Sequence, residues 1–167
     1  SPNTSAMYFP ITLNCELATF GPTERQIGGG GTGPVRRVNY HHPESDGNLG
    51  EVLALNIPSG EVKWRYRTRA PFNTAALTTA GGLVFIGDWN RTMSALDAEN
   101  GKLLWQVRLA TSNQGFPISY SVDGKQYIAM PVGTGGASWS GSLPRELTPE
   151  LSRPRNGSSI NVFALPD

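Results

Sequence analysis

The residue types that most often carry chemistry in proteins are few in this sequence. Two adjacent histidines, His41 and His42, suggest metal binding, but they stand in a polar run, HHPESDGN, without a matching third ligand. The single cysteine, Cys15, is more often a small buried apolar residue than a reactive thiol, and it cannot close a disulfide within this chain. The glycines of GGGGTGP at 28–34 lack the Lys-Ser/Thr pair and the strand-to-helix frame of a phosphate-binding loop. None of these features identifies a catalytic or metal site.

The composition indicates a globular chain rich in short strands. Of its 167 residues, 38% are hydrophobic and 16% are charged, with a net charge of +1. This balance argues against a disordered tail and against a nucleic-acid binder that works through a basic field. Twenty glycines and thirteen prolines favour strands joined by turns. No apolar run reaches about 18 residues, so we expect no membrane span, and the first residues do not resemble a signal peptide.

An internal repeat predicts the architecture. The pattern A-x-[DN]-x-x-x-G-x-x-x-W occurs twice, 41 residues apart, at Ala54, Asn56, Gly60 and Trp64 and again at Ala95, Asp97, Gly101 and Trp105. A period of about 40–45 residues is that of a four-stranded propeller blade. We expect Asp97 to accept hydrogen bonds from the following turn, and both residues of Asn100-Gly101 to take positive φ. The two tryptophans should be buried between neighbouring blades and purely structural.

Apolar runs bounded by turn residues predict the remaining strands. They are 82–89, 92–97, 102–109, 116–122, 126–132 and a short last strand at 160–165. Two polar regions, 21–50 and 133–159, are too long for tight turns and should leave one rim of the propeller as loops.

The predicted fold class is all-β, because no segment shows a convincing helical period. Residues 1–167 are interpreted as one partial β-propeller domain of about two blades plus a closing strand. Propellers need roughly four to eight blades. Either the chain oligomerises, or the rest of the ring lies in polypeptide outside it.

The repeats resemble the tryptophan-docking motifs of the quinoprotein alcohol dehydrogenases, an eight-bladed propeller family that includes methanol dehydrogenase. Three further segments are similar to the same enzymes: ITLNCELA at 11–18, PFNTAALTTAGGLVFIG at 71–87 and DGKQYIAMPVGTGG at 123–136. Together they follow, in order, the C-terminal third of these enzymes. The resemblance implies oxidation of an alcohol or related hydroxyl compound by pyrroloquinoline quinone (PQQ), with Ca²⁺ or a lanthanide beside it. It also implies electron transfer to a cytochrome c-type acceptor, and a periplasmic location.

The same resemblance implies roles for four residues. Asn14 and Asn73 are expected beside the quinone, because a side-chain amide can donate a hydrogen bond to a carbonyl oxygen without titrating. Either asparagine could instead simply cap a turn. Phe72 stands where these enzymes often have tryptophan and is expected to provide an apolar wall beside the cofactor, and Trp139 is expected to line the substrate cavity. The family's catalytic aspartate, principal metal ligands and adjacent-cysteine disulfide lie earlier in its polypeptide. No catalytic base and no metal ligand is therefore expected here.

Departures from the family pattern keep a second interpretation open. Thr74 and Ala75 replace a usual Gly-Gly, and Phe72 has lost the indole donor. The replacement of glycine reduces backbone freedom and suggests a reshaped pocket or a weakened cofactor site. The alternative to the enzyme is therefore a cofactor-free propeller that serves as a protein-binding scaffold.

Overall fold

The computed structural model describes residues 1–21, 27, 36–133, 143–151, 154 and 157–165. The elements in these residues are β1 (Ala6–Thr12), β2 (Asn14–Thr19), β3 (Arg36–His41), β4 (Gly50–Asn56), β5 (Val62–Thr68), β6 (Leu77–Thr78), β7 (Leu83–Gly87), β8 (Thr92–Asp97), β9 (Leu103–Arg108), β10 (Ile118–Val122), β11 (Lys125–Val132), α1 (Leu143–Leu147) and β12 (Ser159–Ala164). The all-β prediction is confirmed, with the five-residue α1 as an unpredicted exception. Within the described ranges, no helix is long and apolar enough to cross a membrane.

The strands form three successive sheets, called blades 1 to 3. Blade 1 contains β1, β4 and β5, blade 2 contains β6 to β9, and blade 3 contains β10 to β12. All pairings within them are antiparallel. β2 and β3 form a separate hairpin that leaves blade 1 between β1 and β4. The predicted closing segment, 160–165, corresponds to β12 as the third strand of blade 3.

Two apolar cores hold the blades face to face. The core between blades 1 and 2 consists of Val52, Ala54, Trp64, Phe72, Val84, Ile86, Leu96 and Ala98. The core between blades 2 and 3 consists of Phe85, Met93, Ala95, Leu109, Ile128, Met130 and Val132. Successive residues of a strand point to opposite faces, so Phe85 and Ile86 belong to different cores. Blade 2 is therefore apolar on both faces.

Trp64 docks blade 1 onto the turn between β8 and β9 in blade 2. Its indole N–H donates to the carbonyl oxygen of Ala98 at 3.0 Å. The ring lies against Gly101, where a Cβ would come within 2.6 Å of it. The predicted position of Trp64 between blades is thus confirmed, and the repeat glycine is explained by close approach as well as by its φ of 73°.

Asp97 caps the same turn as predicted. Its Oδ1 accepts from the backbone N–H groups of Glu99 at 2.8 Å and Asn100 at 3.2 Å. Asn100, however, is not among the residues with positive φ, so the expectation of a two-residue turn with both residues at positive φ is wrong. The turn is wider, because the Gly101 N–H reaches back to the Asp97 carbonyl and a bulge follows Ala95. One residue at positive φ is then enough.

Trp105 does not share the environment of Trp64. Its exposed fraction is 39%, against 8% for Trp64, so the expectation of a buried second tryptophan is wrong for the described residues. One edge of the indole meets Phe163 in a T-shaped contact at 5.3 Å between ring centroids. The difference arises because β12 ends at Ala164 and no described turn follows it to cover the ring.

Antiparallel pairing sends the connections alternately to the two ends of the blades. Short turns at 57–61, 79–82, 98–102 and 123–124 form one end, the short-turn end. The other end, the long-loop face, consists of the connections 13–49, 69–76, 88–91, 109–117 and 133–158. The described ends of the two longest connections, 13–49 and 133–158, therefore lie at the same end of the blades.

The docking of Trp64 gives the first testable prediction. Gly101→Ala should lower the free energy of unfolding by about 1–2 kcal/mol, because a side chain is strained at positive φ. Crowding of the indole should lower it by about 1–3 kcal/mol more. Gly60→Ala is the matched control, since Gly60 has a φ of 72° but no atom within 4 Å of a Cβ. Urea unfolding of both variants measures the difference. Equal losses would show that the indole contact does not stabilise the blade interface.

Candidate functional site

Asn14 lies where the chain leaves blade 1 at the long-loop face. The preceding residue, Leu13, is fixed to the start of β4 because its N–H donates to the Leu49 carbonyl at 2.8 Å. Asn14 then pairs with His41 across the hairpin. Its side chain is half-buried, and within the described part of the chain its amide makes no hydrogen bond. The amide is therefore free to meet a ligand at this face.

Phe72 and Asn73 occupy the connection between blades 1 and 2. Phe72 bridges to Asp88, and its ring is buried in the core, 6.4 Å from that of Tyr66. The role of Phe72 as an apolar wall for a cofactor stays a prediction, but most of its surface already contacts protein. Asn73 is half-exposed, and its amide has no hydrogen bond to any other described residue. The structure thus places Asn14 and Asn73, whose amides are unpaired among the described residues, at the same end of the blades.

Thr74 has a structural reason that the sequence did not reveal. Its buried hydroxyl donates to the Gly87 carbonyl and accepts from the Gly87 N–H, both at 3.1 Å. These two bonds fasten the connection 69–76 to the end of β7, which glycine at this position could not do. Ala75, the other departure from the family pattern, is exposed.

Trp139 lies outside the described residues, so its expected place in a substrate cavity stays a prediction. The described segment that follows, 143–151, packs on the β2–β3 hairpin. Asn39 donates to the Glu146 carboxylate at 2.6 Å. His41 Nε2 lies 3.1 Å from the Leu147 carbonyl, which can only accept, so Nε2 carries the proton of this bond.

Arg69 fastens the segment 143–151 to blade 1. Its guanidinium donates to Glu150 at 2.6 Å, to the Leu147 carbonyl at 3.2 Å and to the Gly47 carbonyl. The hydrogen bond from Arg69 lowers the pKa of the Glu150 carboxyl. One side chain thus joins the connections 13–49, 69–76 and 133–158 of the long-loop face.

Sequence reasoning missed a polar cluster between blades 2 and 3 at this face. Asp88 Oδ1 accepts from the Thr92 N–H at 2.8 Å. The fully buried Asn113 donates from its backbone and its amide to the Asp88 carbonyl, both at 3.2 Å, and from its amide to the Thr92 carbonyl at 3.0 Å. Asn113 forms an isolated bridge to Val132, just as Phe72 does to Asp88. Asn113 in the connection between blades 2 and 3 is therefore the counterpart of Phe72 in the connection between blades 1 and 2. The only signal in the sequence was a carboxylate inside the apolar run GLVFIGDW.

The Asp88 carboxyl is buried, and its burial shifts its pKa. Burial raises the pKa of Asp88 to about 6, although the hydrogen bonds from Thr92 and Asn90 and the charge of Arg108 act in the opposite direction. Burial also raises the pKa of the Tyr66 phenol, and the nearby charge of Asp88 adds to that increase. The long-loop face therefore holds an ionisable group near neutrality within a desolvated environment.

Several buried polar atoms lack a hydrogen-bond partner among the described residues. They include Asn39 Oδ1, His41 Nδ1, Arg91 Nε, Thr111 Oγ1 and Asn113 Oδ1. All of these belong to connections of the long-loop face or to the hairpin that leaves it. Buried polar groups are normally satisfied by protein, water or ligand. This face therefore has spare capacity for hydrogen bonds to a polar ligand or to ordered water.

The other residues considered for chemistry are used differently. His42 Nδ1 accepts from the Glu44 N–H at 3.2 Å. Cys15 is exposed, so the expectation of a buried apolar cysteine is wrong. Searched over the described residues, the chain presents no group of three or more His, Cys, Asp or Glu side chains that could hold a metal ion.

Comparison with known proteins identifies the family. Residues 47–128 match the model of the glucose/ethanol/alcohol dehydrogenase β-propeller domain, PQQ. A quinoprotein ethanol dehydrogenase from Pseudomonas aeruginosa is 36% identical over 124 residues, which are 72% of this chain and 19% of that protein. This chain belongs to the PQQ-dependent dehydrogenase family. A 1-butanol dehydrogenase (cytochrome c) from Thauera butanivorans is 36% identical over 128 residues, 77% of this chain and 17% of that protein.

The three-dimensional comparison confirms the fold of this quinoprotein-family chain. A europium-containing methanol dehydrogenase superposes with a TM-score of 0.84 at 26% identity, over 99% of this chain and 32% of that one. The chain spans less than a fifth of the length of these two curated relatives, 19% and 17%. Its three blades are thus a sector of a larger quinoprotein propeller in the proteins it matches.

Asp88→Asn tests the cost of the buried carboxyl. Because this carboxyl ionises less readily in the folded chain, the folded state is most favoured below the ordinary pKa near 3.8 and loses stability as the pH rises through about 6. The amide keeps an acceptor for Thr92, so the variant should match the parent at pH 4 and exceed its unfolding free energy by up to about 3 kcal/mol at pH 7. Chemical unfolding at both pH values measures this, and Asp88→Ala, which loses the acceptor, is the control. A lower unfolding free energy for Asp88→Asn than for the parent at pH 7 would contradict the raised pKa of Asp88.

Arg69→Ala tests the fastening of the segment 143–151. Without the guanidinium, amide exchange should speed up at least about tenfold at Thr148 and Leu151, whose N–H groups are bonded within that segment. Arg37→Ala is the control, because the partially exposed Arg37 pairs with Glu16 on the hairpin alone. Unchanged exchange in Arg69→Ala would show that other contacts hold the segment.

Proposed function

We propose that this chain is the C-terminal part of a PQQ-dependent dehydrogenase that oxidises an alcohol or a related hydroxyl compound. The observation that carries the proposal is the pair of free amides, Asn14 and Asn73, on the long-loop face of a propeller of this family. The remainder of the same polypeptide would supply the catalytic base and complete the ring.

The donor set of the face fits an orthoquinone. Quinone and carboxylate oxygens of PQQ accept hydrogen bonds, and a neutral amide donates without changing its charge near pH 7. When bound, PQQ supplies the two-electron acceptor for alcohol oxidation. Asn14 and Asn73 would hold and orient it, while the fastened connections around Thr74 and Arg69 keep their backbone in place.

The metal, the acceptor and the compartment are proposed from the resemblance to the family. Ca²⁺ or a lanthanide is proposed beside the quinone, with its ligands in the rest of the polypeptide; the europium in the superposed methanol dehydrogenase supports the lanthanide alternative. A cytochrome c-type acceptor is supported by the name of the Thauera relative. Trp139, in the connection that leaves β11 at the long-loop face, is proposed to line the substrate cavity. The location is proposed to be the periplasm.

Reconstitution tests the activity directly. The complete polypeptide, loaded with PQQ and either Ca²⁺ or La³⁺, should bleach an artificial dye acceptor when ethanol or 1-butanol is added. Neither ion should support the reaction without PQQ. Failure of both PQQ binding and dye reduction would reject the enzyme.

Substitution of the two amides tests their role. Asn14→Ala and Asn73→Ala should each weaken PQQ binding by about tenfold, since each removes one buried hydrogen bond worth roughly 1–2 kcal/mol. Titration with PQQ, followed by tryptophan fluorescence, measures the affinity. Asn3→Ala is the matched control, because Asn3 bonds to the Ala80 carbonyl at the short-turn end. Equal effects in all three variants would mean that the amides act through stability alone.

The second candidate function is the cofactor-free scaffold. It is favoured by the burial of the Phe72 ring in the core and by the structural role of Thr74. A purified complete polypeptide with no quinone absorption, and no affinity for added PQQ, would support the scaffold and not the dehydrogenase.

A further inference from the structure

Arg91 holds a backbone conformation that arginine rarely adopts. Its φ is 75°, the same value as that of the turn glycine Gly82. Arg91 ends the turn 88–91 between β7 and β8, which is closed because the Asp88 N–H donates to the Thr92 carbonyl at 2.9 Å. In hairpin loops of this length the last residue is commonly left-handed, and glycine is favoured there because a Cβ is strained at positive φ. Strain of this kind is a reason to ask what the side chain does.

The guanidinium of Arg91 is unpaired. The residue is half-buried, and it makes no hydrogen bond or ion pair with any other described residue. Its Nε is buried without a partner, whereas neither terminal nitrogen is among the buried unpartnered atoms. The terminal edge of the guanidinium is therefore open to solvent. Arg36 and Arg145 are the other described arginines without a partner, but both are exposed, so only Arg91 combines partial burial with a missing partner.

Two neighbouring connections hold the turn in place. On one side, the Trp89 N–H donates to the Pro71 carbonyl at 2.9 Å. On the other side, the Leu109 N–H donates to the Arg91 carbonyl at 2.7 Å. The Ser112 hydroxyl also donates to the Trp89 carbonyl at 2.6 Å. The backbone that carries the guanidinium is thus fixed before any ligand arrives, which reduces the entropy lost on binding.

The charges beside this turn are positive on balance. Arg108 reaches the turn, because its Nη2 donates to Asn90 Oδ1 at 3.4 Å. The carboxyl of the turn, Asp88, is buried, and its Oδ1 accepts from the Thr92 N–H. Within the part of the chain that the structure describes, Asp88 forms no ion pair with either arginine. Two cationic groups without a carboxylate partner favour the approach of an anion.

The turn lies beside the candidate PQQ site of Asn14 and Asn73, and is offset from it. Pro71, which is bonded to the turn, stands two positions before Asn73. Asn73 leads into β6, the edge strand of blade 2, whereas Arg91 lies between the middle strands β7 and β8. One to two strand spacings, roughly 5–10 Å, therefore separate the two backbones. This separation suits a second group that lies several bonds away from the one that Asn73 holds.

We propose that Arg91 binds the carboxylate of a hydroxy-acid substrate and so selects hydroxyl compounds that carry a carboxylate at their other end. The planar guanidinium can donate two parallel hydrogen bonds to a carboxylate, a pairing that is both strong and geometrically specific. The inference rests on the proposed dehydrogenase function, which supplies the oxidation of the hydroxyl group. The carboxylates of PQQ are the other source of the same chemistry, and the experiments separate the two.

Labelling with phenylglyoxal tests the site without PQQ, a metal or turnover. The reagent modifies accessible guanidinium groups, and peptide mass spectrometry of the complete polypeptide locates the product. We expect 6-hydroxyhexanoate to slow the labelling of Arg91 in a saturable way, about threefold at twice its dissociation constant. The uncharged 1-hexanol should give no protection. Arg36 is the internal control, and its labelling should be the same with either compound.

The same labelling with PQQ in excess identifies the source of the carboxylate. We expect the hydroxy acid to slow the labelling of Arg91 further when PQQ is already present. Protection by PQQ with none added by the hydroxy acid would assign the guanidinium to the cofactor and overturn the inference. Protection by neither compound would overturn it as well.

Arg91→Gly tests the selectivity of the PQQ-loaded complete polypeptide. The ratio of kcat/KM for 6-hydroxyhexanoate to kcat/KM for 1-hexanol should fall about tenfold or more, because a charge-assisted pair is removed. Arg91→Lys keeps the charge but not the fork, so its ratio should fall less. Arg36→Ala is the matched control and should keep the parent ratio. Glycine suits the φ of this position, so Arg91→Gly should unfold at no lower temperature than the parent.

The outcomes distinguish this inference from the proposed function. An unchanged ratio in Arg91→Gly, in an enzyme that oxidises 1-hexanol, would show that Arg91 does not select the substrate. A polypeptide that neither binds PQQ nor oxidises either compound would reject the dehydrogenase. The labelling of Arg91 would still report in that case whether a carboxylate binds there.

Discussion

An indole that leaves water needs a broad apolar surface and one hydrogen-bond acceptor, and the β8–β9 turn provides both to Trp64. The Ala98 carbonyl accepts from the indole and from the Tyr8 hydroxyl, each at 3.0 Å. Gly101 leaves room for the ring because it has no side chain. Two residues of blade 1 are thus fixed to one carbonyl of blade 2. These contacts hold the two sheets in the orientation in which their facing side chains form the shared core.

That orientation determines what meets at the opposite end of the blades. Asn14 comes from an excursion of blade 1, and Asn73 from the connection into blade 2, so their separation depends on how the two sheets are docked. Thr74 and Arg69 then reduce the freedom of the connections themselves. Catalytic and binding geometries generally need such support, because a displacement of about 1 Å weakens them severely. Blade docking at one end is therefore part of the construction of the candidate site at the other.

The parts that could be predicted from the sequence are those set by local chemistry. The repeat predicted the blades because strand, turn, glycine and tryptophan lie within one short segment and each has a physical reason. The β2–β3 hairpin and α1 were missed because they depend on distant contacts, such as that of Arg69 with Glu150. Phe72 shows a different limit: its position in the chain matched a family motif, but the fold directed its ring into the core. Asn113 was missed because a fully buried asparagine has no periodic signature; only its hydrogen bonds to the Asp88 hairpin explain it.

The two ends of the blades also differ in how completely their polar groups are satisfied. The Asp97 turn at the short-turn end closes on itself, with its side chain bonded to its own backbone. At the long-loop face, the Asp88 carboxyl is buried and its pKa is raised, and the buried oxygens of Thr111 and Asn113 have no hydrogen-bond partner among the described residues. Local rules of folding are usually broken where a protein binds or reacts, because a site must keep interactions available for a ligand. In a chain whose repeat positions are otherwise so regular, this asymmetry independently favours the long-loop face as the functional one. The asymmetry is a property of this chain alone, and the face that it indicates is the one on which Asn14 and Asn73 lie.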